Sequence, residues 1–114
     1  MLESTPPPAA DAGETLERIQ RSIESLLEGF VFATNDRITW EAVEATLSSY
    51  LRGLWQEGGL GGDSPRQAFR VEVGVGRTMS EQDVRDGYLV VEVTLQLDRP
   101  AEFIELQFRQ RMNE

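Results

Sequence analysis

Between Glu14 and Glu28 the apolar residues Leu16, Ile19, Ile23, Leu26 and Leu27 recur three or four positions apart. Glu17, Arg18, Arg21 and Glu24 fill the other face, so the spacing predicts an amphipathic helix packed through its aliphatic stripe. Glu14 and Glu17 sit where a helix N-terminus favours anions, and Gly29 is expected to end the helix in the left-handed conformation. Glu17 and Arg21 form a same-face pair. Such a pair contributes only about 0.2–0.5 kcal/mol, so packing must dominate. Phe30-Val31-Phe32 reads as a brief strand or buried connector, closed by the turn-forming run Thr34-Asn35-Asp36. A second helix follows, with Thr39 or Asn35 as its predicted cap and Glu41 and Glu44 in its early turns. Its stripe is Trp40, Val43, Leu47, Tyr50, Leu51, Leu54 and Trp55. Large rings bury about 150–250 Å² each, which makes this helix the main contributor to the core.

Four glycines between Gly58 and Gly62 interrupt the pattern, and beyond Pro65 the period falls to two. Phe69, Val71, Val73 and Val75 alternate with Arg70, Glu72 and Gly74 as a half-buried strand. Ser80-Glu81-Gln82-Asp83 has the form of a capping box that opens a single helical turn, ended by Asp86-Gly87. A longer strand sets Leu89, Val91, Val93, Leu95 and Leu97 on one face and Val90, Glu92, Thr94 and Gln96 on the other, until Asp98-Arg99-Pro100 breaks it. Ile104, Leu106 and Phe108 then alternate with Phe103, Glu105 and Gln107 as a last strand, leaving Arg109–Glu114 as a polar tail. Residues 1–13, with Pro6-Pro7-Pro8, are expected to form an extended arm or linker. Residues 14–114 make one α+β domain: two helices packed on one face of a small, mainly antiparallel β-sheet. The strands contain no proline and the chain no lysine, so the sheet edges are expected to be open to strand addition.

Charge narrows the function. Eleven cationic residues, all arginine, face twenty acidic ones, and the net charge of −9 argues against nucleic acid and anionic membranes as partners. Histidine, cysteine and lysine are absent, which removes thiolate and Ser-His nucleophiles, zinc fingers, Schiff bases and the phosphate-loop lysine. The glycine-rich loop lacks the GK[ST] run and the strand-turn-helix frame of a phosphate cradle. Glu81, Asp83 and Asp86 are dense in carboxylate, yet they do not fit a calcium loop and are read as capping and solvation. Glu102 and Glu105 are an odd number apart, so a strand sends them to opposite faces and they share no acid–base site. Trp40 and Trp55 are read as core rather than as a ligand stack. No enzyme, cofactor or metal is expected. Binding or assembly is the expected role, in a protein read as soluble and cytoplasmic at synthesis.

Several runs together resemble a known family. They are Trp40-x-x-Val43, Tyr50-Leu51-x-x-Leu54-Trp55-x-x-Gly58-x-Leu60-x-Gly62, Ala68-Phe69-x-Val71, and Thr78-Met79-x-x-Gln82-Asp83-x-x-x-Gly87-x-Leu89-Val90-Val91-Glu92-Val93. With Arg99-Pro100-Ala101-Glu102-Phe103-Ile104, and with Ile19-x-x-Ser22-Ile23 ahead of Phe30 to Asp36, their order is similar to the C-terminal domain of contractile tail sheath proteins. That family builds the sheaths of contractile phages, R-type pyocins and extracellular injection systems. The resemblance implies a short sheath-like subunit that faces an inner tube and holds its neighbours by β-strand exchange. Its implied partners are further copies, full-length sheath subunits, the tail tube and the baseplate, and its implied location is an assembled tail or injection particle. Carried onto this chain, Val71, Val73, Val91 and Val93 would form the shared sheet. Pro100, Phe103, Ile104 and Phe108 would turn and anchor the last strand, and Arg109 and Arg111 would lie in a tail reaching a neighbour. The alternative from a different class is a non-polymerising adaptor, or a sheath initiator or cap, that binds one partner by β-augmentation.

Overall fold

The computed structural model describes residues 12–97 and 102–113. The predicted arm and the Asp98-Arg99-Pro100 break lie largely or wholly outside them. Helices α1 (Ala12–Glu28) and α2 (Arg37–Gln56) come first, then a short α3 (Pro65–Ala68) leads into strand β1 (Phe69–Val73). A single turn, α4 (Glu81–Arg85), precedes β2 (Tyr88–Gln96) and β3 (Phe103–Arg111). The strands form one antiparallel sheet in the order β1-β2-β3. The fold is α+β.

Register explains the core. Val91 lies opposite Val73 and Phe108, Val93 opposite Val71 and Leu106, and Leu95 opposite Phe69 and Ile104. Directly paired residues share a face, so these side chains make one apolar surface. It closes against Ile19, Ile23 and Leu27 of α1 and Val43, Leu47 and Leu51 of α2, all buried in one cluster. The opposite face carries Arg70, Thr94 and Glu105 in one row and Glu72, Glu92 and Gln107 in the next. Glu72 and Glu92 would repel as neighbours. Arg70 and Arg77 lie 3.9 and 3.8 Å from Glu72, while the Gln107 side-chain amide donates to Glu92 at 3.2 Å.

The ends of elements differ from expectation in five places. Gly29 is not left-handed; α1 instead closes through successive tight turns in which Gly29, Phe30 and Val31 each donate to the carbonyl three residues back. The same turns make Phe30-Val31-Phe32 neither strand nor buried connector, since Phe32 stays 75% exposed. Asp36, not Thr39 or Asn35, caps α2 by accepting from the Thr39 backbone N–H at 3.0 Å, and the first turn holds no acid. Val75 falls outside β1, because Gly74 takes a φ of 144° and turns the chain. Arg109–Arg111 are not tail. They continue β3 opposite Val90, Leu89 and Tyr88, after which the Met112 side chain is buried and Asn113 donates its N–H to the Val31 carbonyl. The predicted capping box is present: Ser80 accepts from the Asp83 N–H while Asp83 accepts from the Ser80 N–H.

Candidate assembly interface

Of the residues singled out in the sequence, Val91 and Val93 lie on β2, which is paired on both sides and leaves them fully buried. They hold the sheet together from its middle. The backbone free to accept another strand belongs to β1 and β3, and among the described residues neither is paired on its outer side. Val71 and Val73 on β1, and Ile104 and Phe108 on β3, turn toward the helices and anchor the two edge strands. Phe103 starts β3 on the opposite face and is 58% exposed. Pro100 lies outside the described residues.

Arg109 and Arg111 also lie on the face away from the helices. The Arg109 guanidinium stacks 3.8 Å from the Tyr88 ring centroid and lies 3.9 Å from the Asp83 carboxylate, with Arg111 5.5 Å from the same ring. Two hydrogen bonds from Ser80, reinforced by Arg109, hold the Asp83 carboxyl below its ordinary value of 3.8. The acidic cluster therefore finds partners within the chain: Glu81 reaches Arg85 at 4.0 Å and Asp86 accepts from the Gln82 amide. Glu102 and Glu105 are both exposed, with Glu105 on the outer row opposite Thr94. Each tryptophan spends its indole N–H on the fold, Trp40 on the Asn35 side-chain oxygen at 2.7 Å and Trp55 on the Gly62 carbonyl at 2.9 Å.

Each open edge borders a groove. One of about 410 Å³ runs between β1 and α2 and is lined by Glu44, Arg52, Arg66, Arg70, Glu72 and Arg77. Another, of about 330 Å³, separates β3 from α1 and is lined by Glu24, Leu27, Glu28, Phe108, Arg109 and their neighbours. The arginines of the first groove come from α2, α3, β1 and the turn after it, so no local motif announces them. An unpaired edge beside a helix is the geometry of β-augmentation: the ladder holds the added backbone, and the groove receives alternate side chains.

Solved structures with the same arrangement come from contractile particles. The chain matches a chain of the extracellular contractile injection system PVC sheath complex in its contracted state at 41% identity and a TM-score of 0.70. A chain of the anti-feeding prophage baseplate matches at 37% identity with a TM-score of 0.71, and one of the anti-feeding prophage helical sheath in the contracted state at 37% and 0.67. These matches cover 85%, 83% and 83% of this chain, for the baseplate, PVC and helical-sheath structures respectively. The chain resembles a domain of contractile injection system sheath proteins. It spans only 27% of the length of each of these three matched chains. No protein-family model and no curated protein matches it. The neighbours are parts of structural assemblies. Among the described residues no helix is long and apolar enough to cross a membrane.

Proposed function

We propose that this chain is a structural subunit of a contractile tail or injection-system sheath, joined to its neighbours by β-strand addition around an inner tube. The observation that carries the reading is the pairing of sheath likeness at 41% identity with a sheet that leaves both edge strands unpaired beside grooves. A strand added at such an edge keeps its hydrogen bonds inside one small sheet. Subunits can then rotate as rigid bodies while only the connectors bend, which is what a shortening lattice requires. Full-length sheath subunits, the tube and the baseplate are the partners this role entails, and the assembled particle is its location. Within this proposal the exchanged strand comes from the segment ahead of α1. Residues 109–113 serve their own sheet instead.

Sedimentation velocity of the purified chain across a wide concentration range tests the reading. Growth into rings, tubes or an open series of oligomers is the expected result. A sharp monomer at every concentration would overturn self-assembly and favour an adaptor that adds a strand from one partner.

A further inference from the structure

We infer that neighbouring copies meet head to tail, the arginine-rich side of β1 and α2 in one facing the acidic end of α1 in the next. The inference rests on the self-association proposed above and adds which surfaces meet and what sets their direction. The groove beside β1 gathers four arginines against two glutamates, in a protein whose net charge is −9. Glu72 is already shared by Arg70 and Arg77. Among the described residues Arg52 of α2 and Arg66 of α3 pair with no carboxylate, and both are exposed. The groove beside β3 has the opposite sign. Its cation, Arg109, is already held by Asp83 and Tyr88, which leaves Glu24 and Glu28 to set the charge. These two stand one turn apart on α1, where like charges repel, and they lie at the helix's negative end, whose last turn holds no basic residue. Their charge is thus unfavourable within one copy and is relieved by a cation from outside.

Topology turns the two charges into a direction. β1 and β3 are the outer strands of one sheet with β2 between them, and α2 packs on β1 while α1 packs on β3. The two grooves therefore open toward opposite sides of the molecule, so the arginines are answered by the glutamates of a second copy. Because the surfaces face away from each other, a two-fold dimer can use only one of them and sets it against itself, arginine on arginine or glutamate on glutamate. A head-to-tail contact instead brings unlike charges together. Every copy added then keeps one free surface of each sign, so growth continues until a ring closes or a filament extends.

Sedimentation velocity of the full chain tests the contact through charge reversal. Arg52→Glu, Arg66→Glu makes both surfaces acidic, and Glu24→Arg, Glu28→Arg makes both basic. Each double variant alone should associate at least about tenfold more weakly than the parent. An equimolar mixture of the two should recover association, because their unlike surfaces then alternate. The quadruple variant should recover it too, and its net charge remains −9, so long-range repulsion is unchanged. Circular dichroism confirms that each variant folds, since all four positions are exposed. Double variants that associate like the parent, a mixture or quadruple variant that fails to recover, or a parent that stops at a dimer would each overturn the head-to-tail contact while self-association stands. A parent that stays monomeric at every concentration overturns self-association and this contact together.

Discussion

Asn35 illustrates how much of this fold rests on one buried polar side chain. Its amide donates to the Tyr88 carbonyl at 2.9 Å and accepts from the Trp40 indole at 2.7 Å, joining the start of α2 to the start of β2. Replacing it with leucine leaves an indole N–H and a carbonyl unpaired, at about 1–3 kcal/mol each. Asn35→Leu should therefore lower the unfolding free energy by about 2–6 kcal/mol in urea titrations, with the sum set by those two groups. A loss within about 0.5 kcal/mol, the range of an ordinary surface change, would show that the clamp is not structural. The exposed Arg37–Glu41 pair at 3.8 Å makes the contrast, because such pairs contribute about 0.2–1 kcal/mol. Asp83 behaves differently again. Its carboxyl titrates below the ordinary value of 3.8 in the folded chain, so the folded state favours the ionised form. The stabilisation is complete above the unfolded value and is lost as pH falls through the lower folded one. Asp83→Asn should be less stable than the parent at pH 7, and the gap should narrow as the pH falls below the ordinary carboxylate value of 3.8. A gap that stays constant in denaturation curves down to pH 2 would assign the effect to something other than this charge.

At the level of elements, the last strand marks where pattern stops carrying information. Alternation of Ile104, Leu106 and Phe108 announces β3, but the next inward position is Gln110, and polarity there hides the continuation. The position is satisfied by a contact no local pattern shows: the Gln110 amide donates to the Leu27 carbonyl of α1 at 2.7 Å. Removing residues 109–114 would delete three register pairs and the buried Met112, so it should lower the melting temperature by on the order of 10 °C. A truncated chain that melts with the parent in differential scanning calorimetry would return these residues to the status of a tail. The helices and the capping box were legible because contacts within a few residues build them, and the central strand because its apolar positions alternate with period two over its whole length. The turn from Gly29 to Asp36 was not, since a tight i→i−3 closure removes the need for a left-handed glycine and Asn35 is drawn away from capping by Tyr88 and Trp40. The open edges were legible from the absence of proline and lysine. The arginine groove beside β1 was not, because folding gathers its residues from separate elements.

For the whole molecule, the proposed assembly sets two electrostatic effects against each other, and their ranges differ. Every copy carries −9, so copies repel through their net charge, over a Debye length of about 30 Å at 0.01 M salt and about 8 Å at 0.15 M. A close contact between the arginines of the β1 groove and a carboxylate of a neighbouring copy would act at a few ångströms, and it would survive until the screening length approaches about 3 Å near 1 M. Raising salt from 0.01 M first removes the long-range repulsion and leaves the local attraction in place. Raising it further weakens the attraction too. Self-association should therefore be strongest at an intermediate ionic strength, near 0.15 M, and weaker on both sides in sedimentation at fixed protein concentration. The Arg52→Glu, Arg66→Glu variant should lose the high-salt decline and keep the low-salt one, because it removes the local term alone. A steady rise to 1 M in the parent would mean that apolar contact, not the groove's charge, holds the copies together. A steady fall from 0.01 M would mean that net repulsion is irrelevant to the geometry in which the copies meet.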